Sequence, residues 1–192
     1  HFLAELVPLD VPVFVGRRQD TLGCFAAALD EYPAEAVLRI GSRAPVIAPK
    51  RIDSRVRTAE ARLEYDDLGD SARRGRRAAL SPAGVSAEWF RSTALRRAHR
   101  RADSPADRQH ATQYLYSHPK EFNVRLIPVP KEIDRDDVRL TVDIEEDWEH
   151  TLVIFEALGP DELDWRRIAD LLDHQPALRQ RMAVLNRAHA EG

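Results

Sequence analysis

Four acidic residues, Asp143, Glu145, Glu146 and Asp147, crowd the start of a helical pattern late in the chain. Carboxylates at a helix N-terminus complement its partial positive charge, for ~0.3–1 kcal/mol each. Glu145, Glu146 and Asp147 are read in that role, and Asp143 stands just ahead of them. Arginines supply the opposite charge. Arg39 and Arg43 border or occupy the turn-rich stretch Gly41-Ser42-Arg43-Ala44-Pro45, and Arg73-Arg74-Gly75-Arg76-Arg77 is a dense basic run. That run reads as a solvated loop, with phosphate or partner contact as the alternative. His110, close to Tyr114, suits a contact to an acceptor or a subunit partner, and equally a packed or surface histidine. His1, His99, His150, His174 and His189 show no metal-ligand spacing, so no zinc site is expected. Cys24, the lone cysteine, reads as a small core residue and permits no intrachain disulfide. Gly-x-Ser-x-Gly, Cys-x-x-Cys and Walker patterns do not occur.

The elements that must position these residues alternate between strand and helix. Val11–Val15 is a short β-branched run. Asp20 is placed to cap a helix over Thr21–Glu31, with Leu22, Phe25, Ala26 and Leu29 at helical spacing. Ala36–Ile40 reads as a buried strand and Lys50–Arg62 as a helix. Residues 63–81 are rich in Asp and Arg with little periodicity, and are expected to form a long polar loop. Val85–Phe90 reads as a strand, followed by a helix to Ala102 capped by Ser92. A further helix opens with Pro105 in its first turn and carries His110, Tyr114 and Leu115. Val124–Val129 is an edge strand by its prolines and Arg139–Val142 another strand. Glu145–Leu158 is an amphipathic helix with Trp148, Leu152, Ile154, Phe155 and Leu158 inward, stopped by Gly159-Pro160. Helices over Asp164–His174 and Pro176–Ala188 close the chain. This order implies a three-layer α/β domain with a mostly parallel sheet.

Composition bounds the function. With 192 residues, 43% of them hydrophobic, the chain can bury roughly 70% of its unfolded surface as one domain. It carries 29 basic and 32 acidic residues, for a net charge of −3, and no aromatics interleave with the basic run. Nucleic acid is therefore not the expected partner. No apolar run approaches the ~20 residues of a membrane span, and no signal pattern opens the chain, so a cytoplasmic protein is expected. The first residue is His1, which reads as a cropped start.

Four stretches together resemble a known family. They are Leu38–Pro49 (LRIGSRAPVIAP) with Ile52-Asp53, Gly84–Phe90 (GVSAEWF), Asp107–Pro119 (DRQHATQYLYSHP) and Arg139–Asp143 (RLTVD). Val13–Gly16 with Asp20-Thr21-Leu22, and the tail Ile168–Asn186, extend the likeness over nearly the whole chain. It is similar to the cytidylyltransferases of spore-coat polysaccharide synthesis, relatives of the enzymes that make CMP-activated sugar acids. The resemblance implies a Rossmann-like nucleotidyltransferase sheet, a CTP-type nucleotide, Mg²⁺, and transfer of CMP to a sugar acid or similar small-molecule acceptor. A homodimer is compatible with it. It assigns Arg39, Gly41, Ser42, Arg43 and His110 to the nucleotide or substrate, and Asp143 to the metal.

The departures from the family pattern are specific. The first strand and its Gly-rich phosphate loop would lie before residue 1, so neither is expected within residues 1–192. Arg43 stands where the first metal-binding Asp is expected, and Ala48 takes the second acidic position of that turn. Gln109 replaces a usual Glu and Gln113 a frequent Pro. An arginine beside Asp143 reverses the local charge that would favour Mg²⁺; it either binds phosphate without metal or is simply solvated. Two functions follow. One is a cytidylyltransferase for polysaccharide or glycan synthesis; the other is a degenerate relative, a pseudoenzyme serving as a binding or assembly module. Without loop and ligand, the chain as given is not expected to turn over CTP. In either case Asp143 should face the turn Gly41–Pro45, within ~10 Å of Arg43.

Overall fold

The computed structural model describes residues 11–17, 19–72, 84 and 86–190, without the side chains of residues 161 and 190. The basic run Arg73–Arg77 and the rest of the expected loop after residue 72 lie outside the described residues, as does Val85. The chain divides into two compact, discontinuous units: His1–Val37 with Phe90–Asn123, and Leu38–Trp89 with Val124–Gly192. Among the described residues no helix is long and apolar enough to cross a membrane.

The first unit is helical. Asp20 Oδ1 accepts from the Gly23 N–H at 2.8 Å, capping α1 (Thr21–Glu31) as the sequence predicts. Leu22, Ala26 and Leu29 bury one stripe of α1, while α3 (Ser92–Arg101) buries Ala94, Leu95 and Ala98. Phe25 meets Phe90 edge-on at 5.8 Å. Three expectations are corrected here. Val11–Val15 forms no strand: residues 11–17 are irregular, and Val11 and Val15 are largely exposed, so their apolar side chains gain little from an extended packed face. Ser92 is the first helical residue and not the cap; Arg91 holds that position without a side-chain bond, and the Ser92 N–H donates to Glu35 O at 3.0 Å. The helix expected to carry His110 breaks into α4 (Pro105–Gln109) and α5 (Gln113–Ser117), because residues 110–112 turn inward and bury Ala111 and Thr112.

The second unit contains most of a four-stranded sheet ordered β1-β3-β2-β4, with β1 Ala36–Ile40, β2 Asp67–Ser71, β3 Ala87–Arg91 and β4 Val124–Pro128. β2 and β4 are parallel, with Asp67 opposite Val124 and Ser71 opposite Pro128. The β1 and β3 contacts run the other way: Arg39 reaches Glu88, and Glu35 reaches Ser92. The sheet is thus small and mixed, in place of the mostly parallel one expected.

β2 overturns the loop expected over its residues. Its sequence, DLGDS, has no apolar alternation, yet Asp67, Leu68 and Asp70 are all buried. Burying a carboxylate is costly unless it is paired. Asp70 is: α2 (Pro49–Ala61) sends down Arg51, at 2.8 Å, and Arg55, and the Ala87 N–H of β3 donates to Oδ2 at 3.3 Å. The arginines that neutralise Asp70 lie 15 and 19 residues away, and the paired strand β4 farther still, all invisible to a local pattern.

Residues 139–142 carry no strand, against expectation, although Leu140 is buried and the Val142 N–H donates to Arg43 O at 2.9 Å. Helix α6 (Glu145–Leu158) has the predicted bounds, but its buried face is Asp147, His150, Thr151 and Ile154. Trp148 and Leu152, expected inside, are 49% and 40% exposed. The spacing stays helical; the face is rotated by about one residue, because the inward-facing charge of Asp147 has a buried partner. Ile154 joins Val46, Leu140 and Ile133 in the core, which α7 (Trp165–Asp173) and α8 (Pro176–Ala190) close with Ile168, Leu172 and Met182.

Candidate functional site

β1 delivers the chain to the turn after Ile40, where the Ala44 N–H donates to Gly41 O at 3.1 Å. Arg43 sits in this turn. Its carbonyl receives the Val142 N–H, so the turn and the 139–143 segment are tied backbone to backbone. Its guanidinium then reaches the adjacent carboxylate: Arg43 Nη1 donates to Asp143 Oδ1 at 2.6 Å. The expectation that Asp143 faces the turn is met with a direct contact.

Asp143 is held from its other side as well. Arg139 Nη2 lies 3.4 Å from Asp143 Oδ2, and the same guanidinium clasps Asp147 through Nε at 2.6 Å and Nη2 at 2.8 Å. Asp147 also accepts from the backbone N–H groups of Asp143 at 3.0 Å and Ile144 at 3.3 Å. Burial would raise the Asp147 carboxyl pKa, but the Arg139 hydrogen bonds and charge, with those two N–H donors, outweigh it and hold it below its ordinary value. The result is a relay of alternating charge, Arg43–Asp143–Arg139–Asp147, from exposed turn to buried helix start. The formal charges cancel.

The remaining predicted residues fall as follows. Arg39 is engaged by Glu88 at 2.7 Å. Ser42 is exposed at the turn, and Gly41 has open space around it. His110 belongs to the first unit, exposed at the end of α4. Residues 39–43 and Asp143 lie within the second unit. Two members of the relay were missed as site residues: Arg139, and Asp147, which was read as a helix-start acid. The spacing Arg139, Asp143, Asp147 was the available signal, but outside a helix that spacing does not show which side chains meet. Gly84 was also missed. It has φ +63°, and a Cβ there would sit 2.4 Å from the Leu140 carbonyl carbon and oxygen, so only glycine lets this backbone pass against the 139–143 segment.

The donor set does not suit Mg²⁺. Octahedral Mg²⁺ needs oxygens at about 2.0–2.1 Å, usually with at least one carboxylate free to turn toward it. The Asp143 oxygens both face guanidinium groups, those of Arg43 and Arg139. Among the described residues no three potential metal ligands cluster.

Comparison with known proteins agrees on the fold. No family model matches the chain. An uncharacterized protein of Methanocaldococcus jannaschii is 28% identical over 172 residues, covering 89% of this chain and 67% of that protein. Among solved structures, a cytidylyltransferase from Leptospira borgpetersenii superposes with a TM-score of 0.77 at 20% identity, covering 93% of this chain and 73% of that one. This chain therefore has the α/β fold of that structure: a small mixed sheet with helices.

Proposed function

We propose that this chain is a cytidylyltransferase-like protein that binds a CTP-type nucleotide at the turn Gly41–Pro45, in a lineage that transfers CMP to a sugar acid or similar acceptor for glycan synthesis. The observation that carries this reading is the Arg43–Asp143 contact, which joins the turn after β1 to the segment before α6 on a fold shared with a cytidylyltransferase. Ligands of open α/β sheets collect at such strand ends. Arg43 is the group best placed to meet phosphate, being 58% exposed at its side chain. A guanidinium fork matches phosphate oxygens in shape and charge.

The same contact favours binding over turnover. Transfer of a nucleotidyl group needs the charge developing on the phosphates to be neutralised, and each preorganised group commonly supplies ~3–4 kcal/mol. Here the carboxylate that remains is already satisfied by arginine. The second reading, a binding or assembly module of the same lineage, rests on that. Calorimetry with CTP, UTP, ATP and GTP tests the first reading, with CTP expected to bind tightest. Pyrophosphate release from CTP with sugar acids separates the two. Release above a heat-denatured control supports the enzyme, and CTP binding without release supports the module. No preference for CTP would remove the cytidine reading.

A further inference from the structure

We infer that Arg43 is a tethered cation standing in place of a divalent metal at Asp143, so that the site takes diphosphate-bearing ligands without one. This deepens the proposed nucleotide reading and rests on it for the choice of ligand.

The argument starts from charge. Asp143 offers one carboxylate, and Arg43 Nη1 already lies 2.6 Å from its Oδ1. Arg139, whose side chain is 2% exposed, approaches Oδ2 at 3.4 Å and is fixed there by Asp147. A divalent ion on Asp143 would have to displace the Arg43 guanidinium and then sit beside the Arg139 guanidinium, which cannot deprotonate or leave. The relay is neutral with Arg43 in place, and a divalent ion in its stead would leave a net positive charge.

The geometry then says what Arg43 can do. Its main chain is anchored by Val142 and its Nη1 by Asp143, so the side chain is oriented at both ends. Among the described residues, Nε and Nη2 have no acceptor. The side chain that carries them is 58% exposed. A fork with one tine held and the others free is suited to two oxygens of a phosphate or diphosphate. The metal's two tasks, neutralising the acid and contacting the anion, thus fall to one side chain.

Two measurements test this, with circular dichroism confirming that each variant is folded. The first is Mn²⁺ binding followed by electron paramagnetic resonance. Wild type and Asp143→Asn should bind Mn²⁺ equally, showing no site at Asp143. Arg43→Asp should gain one ion per chain, and Arg43→Asp/Asp143→Asn should lose it again. Mn²⁺ uptake by wild type that depends on Asp143, or no gain in Arg43→Asp, overturns the inference. The second is calorimetry with inorganic pyrophosphate in EDTA and in Mg²⁺. Binding should be at least as tight in EDTA, and Arg43→Gln should weaken it about tenfold, the loss of one good charged contact. Binding that requires Mg²⁺, or that Arg43→Gln leaves unchanged, overturns it. Pyrophosphate bound without metal but with no preference for CTP would fail the cytidine reading and leave this inference standing.

Discussion

Arg139 grips Asp147 with two parallel hydrogen bonds, Nε to Oδ1 at 2.6 Å and Nη2 to Oδ2 at 2.8 Å, and both side chains are almost wholly buried. This pair orients the start of α6 and presents Arg139 to Asp143. It is the pivot between the core and the candidate site.

Removing one partner of such a pair leaves an uncompensated buried charge, which costs roughly 3–5 kcal/mol. Asp147→Asn should therefore lower stability to urea by about that amount. Arg139→Met/Asp147→Leu, which removes both charges, should recover most of the loss. A double variant no more stable than Asp147→Asn would show that Asp147 acts through the backbone N–H groups that donate to it, those of Asp143 and Ile144, and not through charge.

Acid should weaken the protein in two stages. Burial, then the Arg181 charge, depress the His150 pKa below 6.5, against the opposing pull of Asp147 and Glu149. A histidine depressed in the folded state contributes stability that is complete above 6.5 and is lost as pH falls below it, since the unfolded chain takes the proton first. Asp147 is depressed below 3.8, so its contribution is complete above 3.8 and is lost as pH falls through its folded value. Urea midpoints measured between pH 7 and pH 3 should show both limbs. His150→Gln should flatten only the upper one; an unchanged upper limb would move the effect to another group.

Two glycines should respond oppositely to alanine. Gly84→Ala forces a side chain into a positive-φ backbone and against Leu140, and should cost more than ~2 kcal/mol. Gly41→Ala meets nothing within 4 Å and should stay within about 0.5 kcal/mol of wild type. Thermal melts of the two variants decide this. Equal effects would mean that the backbone at Gly84 relaxes away from residues 139–143.

Asp20 serves the first unit twice, capping α1 and accepting from Arg108 Nη2 at 2.7 Å. Asp20→Ala should cost ~1–2 kcal/mol, near the upper range for a cap. Asp20→Asn keeps the cap while losing the charge, and should recover more than half of that in the same urea assay. If both variants lose equally, the ion pair dominates and the cap is minor.

Local chemistry was enough for the elements whose stability is local. The cap at Asp20, the apolar stripe of α1, the strand bounds Ala36–Ile40 and the bounds of α6 were all legible, since capping and periodicity act within a few residues, although that strand is half-buried with Ile40 exposed and not buried as expected. The four stretches that resemble the cytidylyltransferases placed Asp143 opposite the turn of Arg43, and the fold bears out that placement. Tertiary structure decided the rest. β2 exists because α2 supplies Arg51 and Arg55 to Asp70, and α6 turns Trp148 outward because Arg139 draws Asp147 in. Val11–Val15 has strand composition but is irregular, with Val11 and Val15 largely exposed. A charge pair forms only where folding brings its partners together, so no reading of spacing could show that Arg43 and Asp143, one hundred residues apart, would neutralise each other.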